Sequence, residues 1–167
     1  MYMMQSKINI VRKYITIVFI RIGLQRYNKN TFFRIFVVMD IESLRNYCLS
    51  LPSTTEDMAF GEEYLLIRVC GKIFACIGLE RPDYFVLKCN PEYATELREK
   101  HQEIQPAWHW NKRYWNQLSL KGCLSNNLMK SLIIHSYCEV SKKLSKKVLK
   151  IHPEITEFTR NHQECAQ

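Results

Sequence analysis

The sequence predicts an α+β domain in which an antiparallel sheet packs against helices, and three patterns carry that prediction. Residues 63–69, 72–79 and 84–89 alternate apolar and polar side chains, the period of half-buried strands. Asn90-Pro91-Glu92 combines a capping side chain, a proline at the first helical position and an acid in the first turn. Leu128, Leu132, Ser136, Val140 and Leu144 recur every four residues, the stripe of an amphipathic helix.

The 167 residues suffice for one domain with a full core. The net charge of +8 is unevenly placed: seven of the 24 cations lie in residues 1–38, which hold no acid. The other 17 face all 16 acids and leave +1 from Met39 onward. This break marks residues 1–38 as a basic leader outside the domain, with translation expected to start at Met39. The alternative is an arm attracted to membranes or nucleic acid. Its apolar run, Tyr14–Ile20, is flanked by Lys13 and Arg21. That is far short of the roughly 18 residues a membrane helix needs. Seven cysteines without a CxxC or a zinc-like spacing to histidine predict core thiols, no metal and a cytoplasmic setting.

Asp40 caps a helix whose stripe is Ile41, Leu44, Cys48 and Leu51, and Pro52 ends it. Residues 53–57 read as a polar connector. Strand 63–69 sets Leu65, Ile67 and Val69 on one face and Tyr64, Leu66 and Arg68 on the other. Cys70-Gly71 turns the chain into strand 72–79, giving a hairpin. In strand 84–89, Phe85, Leu87 and Cys89 face the core, while Val86 and Lys88 share the face of Arg68. The helix from Pro91 runs to about Lys100, with Ala94 and Leu97 inward and Glu96, Arg98 and Glu99 solvated. Ser125 caps a long helix that ends in a lysine run from Lys142 to Lys150. Residues 151–167 read as a frayed tail beyond a domain spanning 39–149.

Between the last two helices lies Pro106–Leu120, with Trp108, Trp110, Trp115, Tyr114, His109 and the pair Lys112-Arg113. Large aromatics beside cations suit a core corner or a stacking surface next to phosphate-binding charge. No P-loop, GxGxxG, HExxH or GxSxG occurs, so neither a cofactor nor an enzymatic activity is predicted.

Six pieces in order make the chain resemble the MmcQ/YjbR family of small bacterial proteins. They are Leu44–Pro52, Thr55–Asp57, Gly71–Ala75, Leu87–Glu92, His109–Asn116 and Leu132–Tyr137. The resemblance implies a compact domain similar to type III secretion chaperones, with a double-wing architecture, and it implies DNA binding. Carried over by position, the site is Lys88 in Leu87-Lys88-Cys89-Asn90-Pro91-Glu92, with His109, Asn111, Lys112 and Trp115 in the H-x-N-K-x-x-W pattern. Arg113 fills an often basic place, and Arg68 joins Lys88 by sharing its face. Trp108 and Tyr114 depart from the Tyr and His that many members carry there.

The expected function is therefore DNA binding through phosphate contacts, with Trp110 or Tyr114 stacking or wedging. The alternative is a protein-interaction or chaperone-like module presenting an apolar patch of Tyr64, Leu66 and Val86. An enzyme built on His109 with Asn111 or Lys112 lacks a nucleophile.

Overall fold

Asp40 accepts a hydrogen bond from the Ser43 amide at 2.7 Å and starts α1, Ile41–Leu49, as its place before the apolar stripe predicts. The computed structural model describes residues 40–80, 83–122 and 124–162, which belong to one compact unit, Val38–Gln167. The leader and its Met39 boundary lie outside the described residues.

Six strands form one antiparallel sheet in the order β1-β2-β3-β4-β6-β5. They are β1 (Thr54–Asp57), β2 (Tyr64–Val69), β3 (Lys72–Gly78), β4 (Tyr84–Lys88), β5 (Ile104–Pro106) and β6 (Trp115–Ser119). The predicted connector at 53–57 is thus an edge strand, registered on β2 through Thr55–Arg68 and Asp57–Leu66. Its composition hides it, because Thr-Thr-Glu-Asp shows no apolar alternation. The β2–β3 hairpin closes on Cys70 and Gly71, both at positive φ (45° and 79°), which matches the twist of the strands it joins.

The register of β2 on β3 shifts between Ile67 and Arg68, and Phe74 is left without a partner. This bulge turns Phe74 and Ala75 both toward the helices, where each is fully buried. Pairing of β3 with β4 stops at Ala75–Leu87. One step further, the Ser136 hydroxyl replaces the missing ladder bond. It accepts from the Lys88 amide at 2.8 Å and donates to the Phe74 carbonyl at 2.5 Å.

Helix α2, Pro91–Lys100, is capped by Asn90. Helix α3, Asn126–Ser141, is capped by Ser125 and lies across β3 and β4. The predicted long helix breaks at Lys142, because Ser145 caps a new one, α4 (Lys146–Ile151). Beyond it the expected tail is helix α5, Pro153–Asn161. Its Ile155 is buried in the core and its Phe158 meets the Tyr137 ring edge-on at 5.2 Å. The helices, with Leu44, Leu97, Ile133 and Tyr137, bury one face of the sheet. The other face has a smaller core of Leu66, Cys76, Val86, Ala107 and Trp115, covered by Trp110 and Tyr114.

Candidate functional site

The second face of the sheet is where the sequence places its site. Lys88 ends β4 and Trp115 begins β6, and the two are register partners. Their side chains therefore leave the sheet together, and Lys88 Nζ lies 5.1 Å from the centre of the Trp115 ring. Trp115 itself is buried and packs on Trp110 with ring centres 4.2 Å apart. Sequence reasoning names Trp115 as a candidate binding residue; in the structure it is a buried floor under Lys88 and Trp110.

The loop 107–114 folds over this floor. Asn111 Oδ1 accepts from the Arg113 amide at 3.0 Å and its carbonyl accepts from the Tyr114 amide, forming a tight turn. Lys112 and Arg113 are thereby left exposed at the tip. Arg113 lies over the Tyr114 ring at 5.6 Å, and Lys143, just past the end of α3, lies over the same ring at 5.5 Å. Lys88, Arg113 and Lys143 thus gather around Tyr114 and Trp115, and none has an ion pair among the described residues. Burial lowers the Lys88 pKa, helped by Lys143 and Lys72 and opposed by Glu139. Glu139 is itself paired with Lys142 at 2.7 Å.

Two predicted site residues sit elsewhere. The Arg68 guanidinium is held by Asp57 at 2.5 Å and by the Gly71 carbonyl at 3.0 Å, so it fastens β1 and the hairpin turn. His109 is exposed, in edge contact with Trp108 at 6.2 Å, and makes no side-chain hydrogen bond among the described residues. Of the stacking candidates, Trp110 is wedged between Trp115 and Phe60, and the Tyr114 ring carries two cations. Trp108, with His109 against it, is the most exposed tryptophan of the stretch, at 77%.

Arg98 was expected to be solvated, and the structure uses it to fix the loop. It donates to Asn116 Oδ1 at 2.7 Å, to the Lys112 carbonyl at 2.6 Å and to the Trp115 carbonyl at 3.3 Å. Its partners lie 14 to 18 residues away, so no local pattern announces it. Arg98→Ala leaves buried Asn116 unpaired at both ends of its amide and is expected to cost about 2–3 kcal/mol in urea denaturation. Arg98→Lys recovers little of this, because one ammonium cannot span the fork.

Burial pushes the Cys76 and Cys89 thiols up to about 12, away from thiolate chemistry. Buried His135 accepts from the Asn90 amide at 3.2 Å through Nε2, a packing contact between α3 and the start of α2. Among the described residues, no three His, Cys, Asp or Glu gather to hold a metal. No described helix is long and apolar enough to cross a membrane. The two grooves along the sheet edges contain none of the predicted site residues.

Fold and site together define a small α+β protein whose distinctive surface is a corner of cations on aromatics. The chain belongs to the YjbR family, whose model matches residues 49–139. It is 30% identical over 100 residues to the uncharacterized protein YjbR of Escherichia coli (strain K12), spanning 59% of this chain and 85% of that one. It is also similar to YbdF of Escherichia coli O157:H7, at 28% identity over 64% of this chain and 88% of the relative. The crystal structure of Deinococcus radiodurans protein DR2400, of domain family DUF419, superposes with a TM-score of 0.64 at 31% identity. That match covers 70% of this chain and 90% of the other. A Pseudomonas syringae protein superposes with a TM-score of 0.50 at 26% identity, over 59% of this chain and 96% of that protein.

Proposed function

We propose that this protein is a non-enzymatic, cytoplasmic DNA-binding module that grips the phosphate backbone through Lys88, Arg113 and Lys143, with Lys112 at the loop tip. The observation that carries the reading is the gathering of three cations, without ion pairs among the described residues, on the neighbouring rings of Trp115 and Tyr114. Unpaired cations held at fixed positions suit phosphate oxygens, which supply charge without demanding a pocket. Exposed Trp108 on the same loop adds a face for a base or a groove wall. The net charge of +1 from residue 39 onward makes the grip modest and salt-sensitive. The five described cysteines are free thiols, in keeping with a reducing compartment.

The chaperone-like alternative has less support. Most of its apolar patch is covered, with Leu66 fully buried and Val86 9% exposed beneath the aromatic loop, while Tyr64 is half-buried.

The test is anisotropy of a labelled duplex across a salt series, using the full chain and a Lys88→Ala/Arg113→Ala/Lys143→Ala variant. Loss of three phosphate contacts lowers the slope of log K against log salt by about 2.7. An unchanged slope would show that the corner does not touch phosphate and would return the protein to the interaction-module reading.

A further inference from the structure

We propose that the groove at the β5 edge holds one unpaired nucleobase carrying an exocyclic amine, which makes a single strand the preferred partner. The inference rests on the corner as a phosphate site and names what binds beside it. The groove is a cavity of about 600 Å³, within the range of sites that enclose one small ligand. Its lining includes Tyr84, Gln105, Gln117 and Ser119 on the sheet, with Gln102 and Glu103 on the chain entering β5. Lys100, the cation of the lining, is paired with Glu96. Tyr84–Ser119 and Gln105–Gln117 are register partners, and alternation along β4 and β6 puts them on the face of Lys88 and Trp115. β4 runs from Tyr84 to Lys88 and β6 from Trp115 to Ser119, so groove and corner are the two ends of one strand pair. At about 3.3 Å per residue they lie roughly 13 Å apart. A strand held at the corner by its phosphates can therefore lay a neighbouring base in the groove.

The lining selects that base. Tyr84, 37% exposed, supplies a stacking face. The Gln105 side-chain nitrogen donates to the Gln102 carbonyl at 3.0 Å, which leaves its oxygen as the acceptor it offers. The Glu103 carbonyl accepts from the Ser119 amide at 2.8 Å, and its side chain passes over Gly122, where an added Cβ would collide with it. Carboxylate and amide oxygens accept from the amines of cytosine and adenine, whereas uracil and thymine present a carbonyl at that place. The Glu103 charge also repels phosphate, which assigns the backbone to the corner and the base to the groove. In a duplex the edge that the groove would meet is taken up by pairing.

Short labelled oligonucleotides of deoxycytidine and deoxyuridine, which differ at the base edge by an amine against a carbonyl, are titrated against the full chain by anisotropy. The cytosine strand is expected to bind tighter than a duplex of equal length. It should also bind at least about fivefold tighter than the uracil strand, the low end of what a well-placed base contact supplies. Gln105→Ala/Gln117→Ala should abolish this preference, while Lys88→Ala/Arg113→Ala/Lys143→Ala should weaken both strands and keep it. Equal affinity for the two strands would overturn the proposal, as would tighter binding of the duplex or a preference that survives the groove variant. Free cytidine, which carries no phosphate, separates this proposal from the reading it rests on. Its addition should shift the side-chain amide signals of Gln105 and Gln117 in NMR spectra. Such shifts without affinity for any oligonucleotide would sink the corner as a phosphate site and leave the base site standing. Duplex affinity without the shifts would sink only the groove.

Discussion

Trp115→Ala is expected to lose about 3–5 kcal/mol of folding stability, the usual cost of removing a buried tryptophan. The ring is 7% exposed and is the largest side chain in the small core on the second sheet face. Its loss opens a cavity beneath Trp110 and takes away the surface that positions Lys88. Two readouts should move together: the urea midpoint falls, and the salt-dependent affinity for duplex weakens although no cation has been removed. Trp115→Phe keeps a ring under Lys88 and should recover part of both. If stability drops and affinity holds, the aromatic floor is structural alone and the cations find phosphate without it.

Ser136→Ala is expected to cost about 2–4 kcal/mol, because it strands two buried backbone groups at once. The hydroxyl is fully buried and serves the Lys88 amide and the Phe74 carbonyl just past the end of the β3–β4 pairing. Neither group has a substitute in the ladder, since pairing ends at Ala75–Leu87. Ser136→Cys keeps a weak donor and acceptor and should fall between. Hydrogen exchange locates the effect: the Lys88 amide should lose protection far more than the Phe85 amide on the same strand. A fall in stability without that local loss would mean that cavity strain, not the bridge, explains the change.

Much of this structure is legible in the sequence. The caps at Asp40, Asn90 and Ser125, the faces of β2 and β4, and the Asn111 turn follow from local rules that need no partner. Sequence reasoning missed what depends on distant contacts. β1 is polar and exists because β2 offers it an edge, while β5 is too short to show a period. Arg98 resembles any charged residue on a helix surface until its loop partners arrive. The three tryptophans share one stretch of chain, yet Trp115 is buried, Trp110 is sandwiched and Trp108 is exposed, which composition does not distinguish. The last helix left a usable signal. His152-Pro153-Glu154 repeats the proline and acid of Asn90-Pro91-Glu92, and the missing capping side chain masks it.

The two ends of the sheet have a consequence for the protein at high concentration. Unpaired strand edges invite other chains to add on, which is how many β-proteins begin to aggregate. Here β5 spans only three residues and ends in Pro106, which has no amide hydrogen to offer. At the opposite edge, β1 is four residues long and carries Glu56 and Asp57, each fastened by an arginine of its own domain. Neither border gives an incoming strand a long row of free donors and acceptors. The sheet is therefore built to remain finite, and fibril growth from its edges is disfavoured by its own dimensions.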